Sequence, residues 1–312
     1  MGRAAVLAVA AATLVAALAL TLLGVGDEPG RLPNWQALVL GIVQGATELL
    51  PISSSGHLIL VPWLGDWEYL KEHDDFNQTF DVGLHLGTLV AVAAYFWREL
   101  VALLAAWLRT LRTRRVETPD ERLAWFVLIA TVPAGLVGVL AGEQIAEHLG
   151  EPWQIAIVLA AFAVVLWWTD RRPQTRTLAD LGPRTAVAVG LAQTVALVPG
   201  VSRSGITISA ARFLGLDRDA AARFSFLLLV PTVLGAVVYK GLTDVVFGDL
   251  PSGSTGPFVV GTLAAAGSGL LAIEGLLGYV RRHDYSLFVW YRLAAAGVVL
   301  LLIASGVRSA GF

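Results

Sequence analysis

A helix that crosses a lipid bilayer needs about 20 consecutive, mostly apolar residues, and this chain is built almost wholly from such stretches. Blocks at 4–25, 80–97, 123–141, 152–169, 220–239, 257–280 and 287–307 are dominated by Ala, Val, Leu, Ile, Gly and aromatic residues. Two more, 34–64 and 184–216, are equally apolar but are interrupted by a cluster of Pro, Ser and Gly. Inside hydrocarbon a backbone must satisfy its own hydrogen bonds, and blocks of this length do so as helices. Composition removes the rival classes. Hydrophobic residues make up 56% of the 312 residues and charged residues 15%, too few to cover a soluble globule of this size. The same figures exclude disorder, and the absence of Cys excludes a disulfide scaffold. A net charge of −2 without a Lys/Arg-rich patch gives no reason to expect nucleic acid. The expected fold class is an all-α polytopic membrane protein.

Short loops rich in Lys and Arg stay in the cytoplasm, and here nearly all the cations are Arg. Arg109, Arg112, Arg114, Arg115 and Arg122 follow the 80–97 block, and Arg171, Arg172, Arg176 and Arg184 follow 152–169. Arg281 and Arg282 precede the last block. The intervening segments are acidic: Asp66, Glu68, Glu72, Asp74 and Asp75, then Glu143, Glu147 and Glu151, then Asp244 and Asp249. With basic segments inside and acidic ones outside, six core crossings fit. The block 34–64 then enters and leaves from outside, and 184–216 from the cytoplasm. Both read as re-entrant helix-loop-helix hairpins aimed at each other. The block 4–25 is long for a signal-peptide core and lacks a small-x-small cleavage site, so an extra retained N-terminal helix is expected. The domain reading is an N-terminal hydrophobic extension over 1–33 and a single membrane domain over 34–312.

The two interrupted blocks match each other at a shift of 149 residues: Gly41 with Gly190, Gln44 with Gln193, Ser53 with Ser202, Ser55 with Ser204, Gly56 with Gly205. The strings are GIVQGATELLPISSSG and GLAQTVALVPGVSRSG. Similar sequence in opposite orientation is an inverted-topology repeat, here about 34–169 and 184–307. Such repeats place a polar site near the midplane, where broken helices meet.

Ionisable residues at membrane depth mark function by default. Glu48 lies four residues after Gln44, on the same helical face. Pro51 ends that arm, and Ser53, Ser54, Ser55, Gly56 and His57 follow. The second turn holds Gly200, Ser202, Arg203, Ser204 and Gly205, with Thr207 beyond. One carboxylate, one imidazole, one guanidinium, several hydroxyls and free N–H groups at helix starts suit a phosphate ester or anhydride. A Ser or the His offers a nucleophile, and His57 or Glu48 a general acid or base. Alternatively, Glu48 helps to hold a divalent cation. Asp81 and His85, four apart on the next helix, are candidates for the same cavity, Asp81 as a second metal ligand. The blander readings are that Glu48 only pairs with Arg203, that His57 caps or packs, and that the serines only cap helices. The tryptophans near block ends (Trp63, Trp67, Trp97, Trp153, Trp167, Trp168 and Trp290 among them) read as interface anchors.

At these residues the chain resembles the undecaprenyl-diphosphatase family, also called the bacitracin-resistance protein family. QGATELLPISSSGH at 44–57 and PGVSRSGIT at 199–207 are similar to its two signatures. FDVGLHLGTLVAVAAYFWREL and FSFLLLVPTVLGA also have its look. The resemblance covers roughly 34–307. It implies a multi-pass cell-membrane enzyme that hydrolyses undecaprenyl diphosphate to undecaprenyl phosphate and inorganic phosphate. That reaction recycles the lipid carrier of cell-wall synthesis and confers bacitracin resistance. It further implies six spanning helices with two re-entrant hairpins, a frequent homodimer, and dependence on a divalent cation, Mg2+ or Ca2+. By position, Glu48, His57 and Arg203 become the essential trio. Ser54 becomes the candidate nucleophile, with His57 competing for that role. Gln44, Ser53, Ser55, Gly56, Gln193, Gly200, Ser202, Ser204, Gly205 and Thr207 become candidate substrate contacts. Gln44 stands where some members have Glu, so no ionised role applies there. The block 4–25 departs from members that begin near the first hairpin. The partners expected are the polyprenyl diphosphate and membrane lipids, with the site open to the extracytoplasmic side. A rival reading is a polyprenyl-phosphate flippase, because inverted repeats with broken helices are also the architecture of secondary transporters.

Overall fold

The computed structural model describes residues 2–240 and 254–312. Asp244 and Asp249, used above to orient one segment, lie outside the described residues. Within them the chain forms thirteen α-helices and one isolated bridge, Arg176 to Leu216. They are α1 (Arg3–Leu22), α2 (Asn34–Leu49), α3 (Ser54–Gly65), α4 (Glu68–Glu72), α5 (Asp74–Tyr95), α6 (Trp97–Thr113) and α7 (Pro119–His148). The rest are α8 (Pro152–Asp170), α9 (Pro183–Thr194), α10 (Arg203–Phe213), α11 (Arg218–Lys240), α12 (Thr255–Val280) and α13 (Ser286–Ala304).

Six of these, α1, α7, α8, α11, α12 and α13, are long and apolar enough to cross a membrane. The pair α5 and α6, bent by 85° at Phe96, makes a seventh if counted as one span. Every uninterrupted apolar block thus became a long helix, and the two interrupted blocks became the pairs α2–α3 and α9–α10.

One segment differs from expectation. The Arg-rich stretch after 80–97 is not a loop over its whole length. Arg109 and Arg112 sit on α6, and Arg114 closes that helix in a left-handed conformation, φ 54°. Trp97, Val101, Leu104, Leu108 and Leu111 recur at helical spacing and are all exposed, so the segment folds as an amphipathic helix. Its Arg109 Nε donates to Glu121 Oε1 at 2.6 Å, tying α6 to the start of α7. The tryptophans divide as well. Trp97, Trp153, Trp167, Trp168 and Trp290 are exposed near helix ends, but Trp63 and Trp67 are buried. Trp63 is held by its indole N–H to the Ser309 carbonyl at 3.1 Å, so these two belong to the core.

The two halves interlock. The first broken-pair arm, α2, packs on α12 of the second half, while α9 of the second half packs on α7 of the first. The matched glycines make both contacts close. A Cβ added at Gly41 would come within 2.7 Å of Ala264 Cβ, and one added at Gly190 within 2.7 Å of Ala130 Cα. Helices embedded in lipid gain little from excluding water, and close approach at small residues is what holds them together.

Candidate active site

The site grows out of two turns. Helix α2 stops at Leu49 because Pro51 cannot continue it. The chain turns at Ser53, which has φ 77° and ψ 97°. Its matched residue Ser202 has φ 76° and ψ 115°. L-residues populate such conformations at a cost of about 1–3 kcal/mol. Each serine offsets part of that by capping the helix it opens: Ser53 Oγ accepts from Gly56 N at 3.4 Å, and Ser202 Oγ from Gly205 N at 3.0 Å. The next hydroxyl along completes the motif, with Ser53–Ser55 Oγ atoms 3.3 Å apart and Ser202–Ser204 Oγ atoms 3.2 Å apart. The two turns touch, since Ser204 Oγ donates to the Leu50 carbonyl at 2.9 Å. Helices α3 and α10 therefore begin side by side, and their first N–H groups and positive dipole ends lie in one region.

At the meeting point lies the Glu48 carboxylate, 5% exposed. Arg203 donates to its Oε1 from Nε at 3.2 Å and from Nη2 at 3.1 Å. On Oε2 it accepts the Ser54 hydroxyl and Gln44 Nε2 at 3.4 Å. His85 Nε2 stands 3.5 Å from the same oxygen. The other ring nitrogen of His85 is 2.7 Å from the main-chain carbonyl of Asp81. Arg203 is anchored from behind by donating to the Ser225 carbonyl at 2.7 Å. Thr207 Oγ1 donates to the Arg203 carbonyl at 2.8 Å and stands 2.8 Å from Ser225 Oγ, whose hydroxyl it can accept. Thus Glu48, Ser54, Arg203 and Gln44 come together, joined by His85.

His57 stands apart from that cluster in its own contacts. Its Nδ1 is 2.7 Å from the Ser53 carbonyl, and its Nε2 is 2.7 Å from the Tyr291 hydroxyl of α13. A carbonyl only accepts, so Nδ1 carries the proton and Nε2 faces a hydroxyl able to donate. Gln193, which matches Gln44 at the 149-residue shift, makes its contacts elsewhere, with the Ala130 carbonyl at 3.4 Å and Thr232 Oγ1 at 3.5 Å. The chemistry of the two turns is unequal. At 149 residues from Glu48, Ser54 and His57 stand Leu197, Arg203 and Ile206.

Residues 37–299 match the family described as Bacitracin resistance protein BacA. Proteins named undecaprenyl-diphosphatase from Pelotomaculum thermopropionicum and Thermomicrobium roseum are 43% and 48% identical over 279 and 283 residues. Those alignments cover 89% and 88% of this chain and 99% of each relative. The protein of that name from Geobacter sulfurreducens is 46% identical over 266 residues, 85% of this chain and 96% of the relative. The chain belongs to the bacitracin resistance protein family. Helix α1 lies outside the matched residues.

Two residues of this family member escaped the sequence reading, Tyr291 and Arg292. Arg292 is fully buried between the turns, and the signal for it was present: an arginine six residues into an apolar block. Tyr291 carries no such signal, because its contact is 234 residues away in sequence. For a divalent cation, the described residues contain no group of three His, Asp or Glu placed to hold one alone. They do offer hard oxygen donors of the kind Mg2+ takes together with phosphate: the Glu48 carboxylate and Gln44 Oε1, which is buried and accepts no hydrogen bond.

Proposed function

We infer that this member of the bacitracin resistance family hydrolyses undecaprenyl diphosphate, releasing inorganic phosphate and leaving undecaprenyl phosphate. The observation that carries the reading is the Ser54 hydroxyl seated on the Glu48 carboxylate beside the Arg203 guanidinium. Glu48 takes the proton of Ser54 as its Oγ attacks the terminal phosphorus. The bond from that phosphorus to the bridging oxygen breaks, undecaprenyl phosphate leaves, and the phosphoryl group rests on Ser54. A water molecule then attacks the same phosphorus, restores the Ser54 hydroxyl and frees phosphate. Arg203 moves from Glu48 to the phosphate oxygens, which a guanidinium binds as a fork. The N–H groups at the starts of α3 and α10 meet the charge that develops on the equatorial oxygens. His57, held by Tyr291, orients the attacking water and takes its proton on Nε2. Glu48 and Gln44, with the substrate phosphates, would hold a Mg2+ or Ca2+ ion, which when bound neutralises phosphate charge.

In this reading α2–α3 and α9–α10 are the two re-entrant hairpins of an inverted repeat, supported by their matched turns and by the crossed packing of α2 on α12 and α9 on α7. The distribution of the Arg-bearing segments supports a protein of the cell membrane with the site reached from the extracytoplasmic side and the prenyl tail among the helices in lipid.

Phosphate release by purified protein in detergent tests the reading, in a Mg2+ and Ca2+ series and in chelator. Release is expected with the metal and not in chelator. Ser54→Ala is expected to lower turnover by three or more orders of magnitude, as loss of a nucleophile does, and acid quenching of the wild type to trap phosphoserine. Wild-type turnover in Arg203→Ala would sink the arrangement. Translocation without release would favour the flippase reading, which needs no nucleophile.

A further inference from the structure

Arg292 is 0% exposed and lies on α13, outside both turns. Its Nε donates to the Leu159 carbonyl of α8 at 3.1 Å and its Nη1 to the Pro51 carbonyl of the first turn at 3.2 Å. Its Nη2 donates to the Gly200 and Val201 carbonyls of the second turn at 2.9 and 3.0 Å. Gly205 leaves it room, since a Cβ there would stand 3.0 Å from Nη1. All four acceptors are neutral. The other fully buried arginine, Arg212, pairs with the Asp170 carboxylate at 3.0 Å, which it shares with Arg218 at 2.8 Å. The Arg203 charge is cancelled by Glu48. Among the described residues Arg292 has no carboxylate within ion-pair distance, and every acceptor of its guanidinium is a main-chain carbonyl.

A buried unpaired cation is costly, and neutral replacements of similar volume are commonly better tolerated. A clamp on carbonyls needs donors but does not need a charge. The charge has a use once a polyanion enters between the turns. We propose that Arg292 is a positioning residue that fixes the spacing of the two turns and supplies a positive charge that no carboxylate compensates, so that the site favours a diphosphate over a monophosphate. This rests on the phosphatase reading and extends it to specificity. The diphosphate substrate, with the greater negative charge, is held, and the monoester product, with less, is released.

The test uses methylenediphosphonate and inorganic phosphate as probes on the full chain. Both are measured as inhibitors of phosphate release and, separately, by the rise in melting temperature each causes. In Arg292→Gln the inhibition constant for methylenediphosphonate is expected to rise at least about tenfold, while that for phosphate changes less than about threefold. KM for the lipid diphosphate is expected to rise more than kcat falls. Arg292→Lys, which keeps the charge and loses the fork, is expected to retain the preference. A merely structural clamp would weaken both probes equally, and that result overturns the proposal. So does loss of the preference in a folded Arg292→Lys protein, which also decides the matter if Arg292→Gln does not fold. If no phosphate is released by the wild type, the phosphatase reading fails, and the melting shifts still report whether Arg292 selects the diphosphonate.

Discussion

A carboxylate buried at membrane depth persists only where its neighbours replace the water it has lost. Glu48 has an arginine fork on one oxygen, and a serine hydroxyl and a glutamine amide on the other. Removing one member of a buried ion pair costs about 3–5 kcal/mol, because the other is left charged and alone, whereas removing both is often near neutral. Arg203→Gln and Glu48→Gln are therefore each expected to lower the melting temperature in detergent. The double variant should melt above either single one, although all three have lost phosphate release. A double variant that melts below both would show that the pair is not the unit described here. Glu48 and Arg203 were legible in the sequence because charged residues are rare in its apolar blocks and these flank the interrupted turns, whereas Ser54 was singled out from its neighbouring serines by the family resemblance. Arg292 was equally rare, but its block has no Pro/Ser/Gly break to draw notice to it. The geometry of His57 was not legible, since the hydroxyl that holds its ring comes from α13.

At the scale of elements, the turns matter more than the helices. Ser53 and Ser202 combine an unusual positive φ with a cap on the following helix. These two demands separate by substitution. Ser202→Ala loses the cap, worth about 0.5–2 kcal/mol, and keeps the strain. Ser202→Gly also loses the cap but adopts the positive φ freely. The glycine variant is expected to melt higher than the alanine variant, and the reverse order would mean that the strain contributes little. Helix α6 teaches a different lesson. Its arginines were legible as a basic segment, but not its helicity. Counting charges gives orientation, whereas the spacing of Trp97, Val101, Leu104, Leu108 and Leu111 gives the helix.

The molecule as a whole is two matched halves locked through each other's long helices, with α1 added on the face of α12. Arg3 pairs with Glu274 at 3.4 Å, and Gly267 leaves space for α1, a Cβ there standing 2.6 Å from Thr13 Oγ1 and 2.7 Å from Leu14 Cγ. None of the groups around Glu48 lies on α1. Gly267→Leu is thus expected to lower the melting temperature while leaving KM for the lipid diphosphate within about twofold of wild type. A large change in KM would tie α1 to the site. The number and order of long helices were legible because lipid imposes a length on them. The crossed packing of the halves was not, because it depends on which small residues face each other.

The unequal turns carry a consequence for how such a protein is put together. The first half brings the acid, the hydroxyl and the imidazole, and the second brings a leucine, an arginine and an isoleucine at the matched places. Two copies of the first half would crowd carboxylates around a polyanion with no guanidinium to receive it. Two copies of the second would bind the polyanion and do nothing further. In the proposed mechanism catalysis needs one of each, so fragments split near the 170–183 connection should be inert alone and active only when produced together.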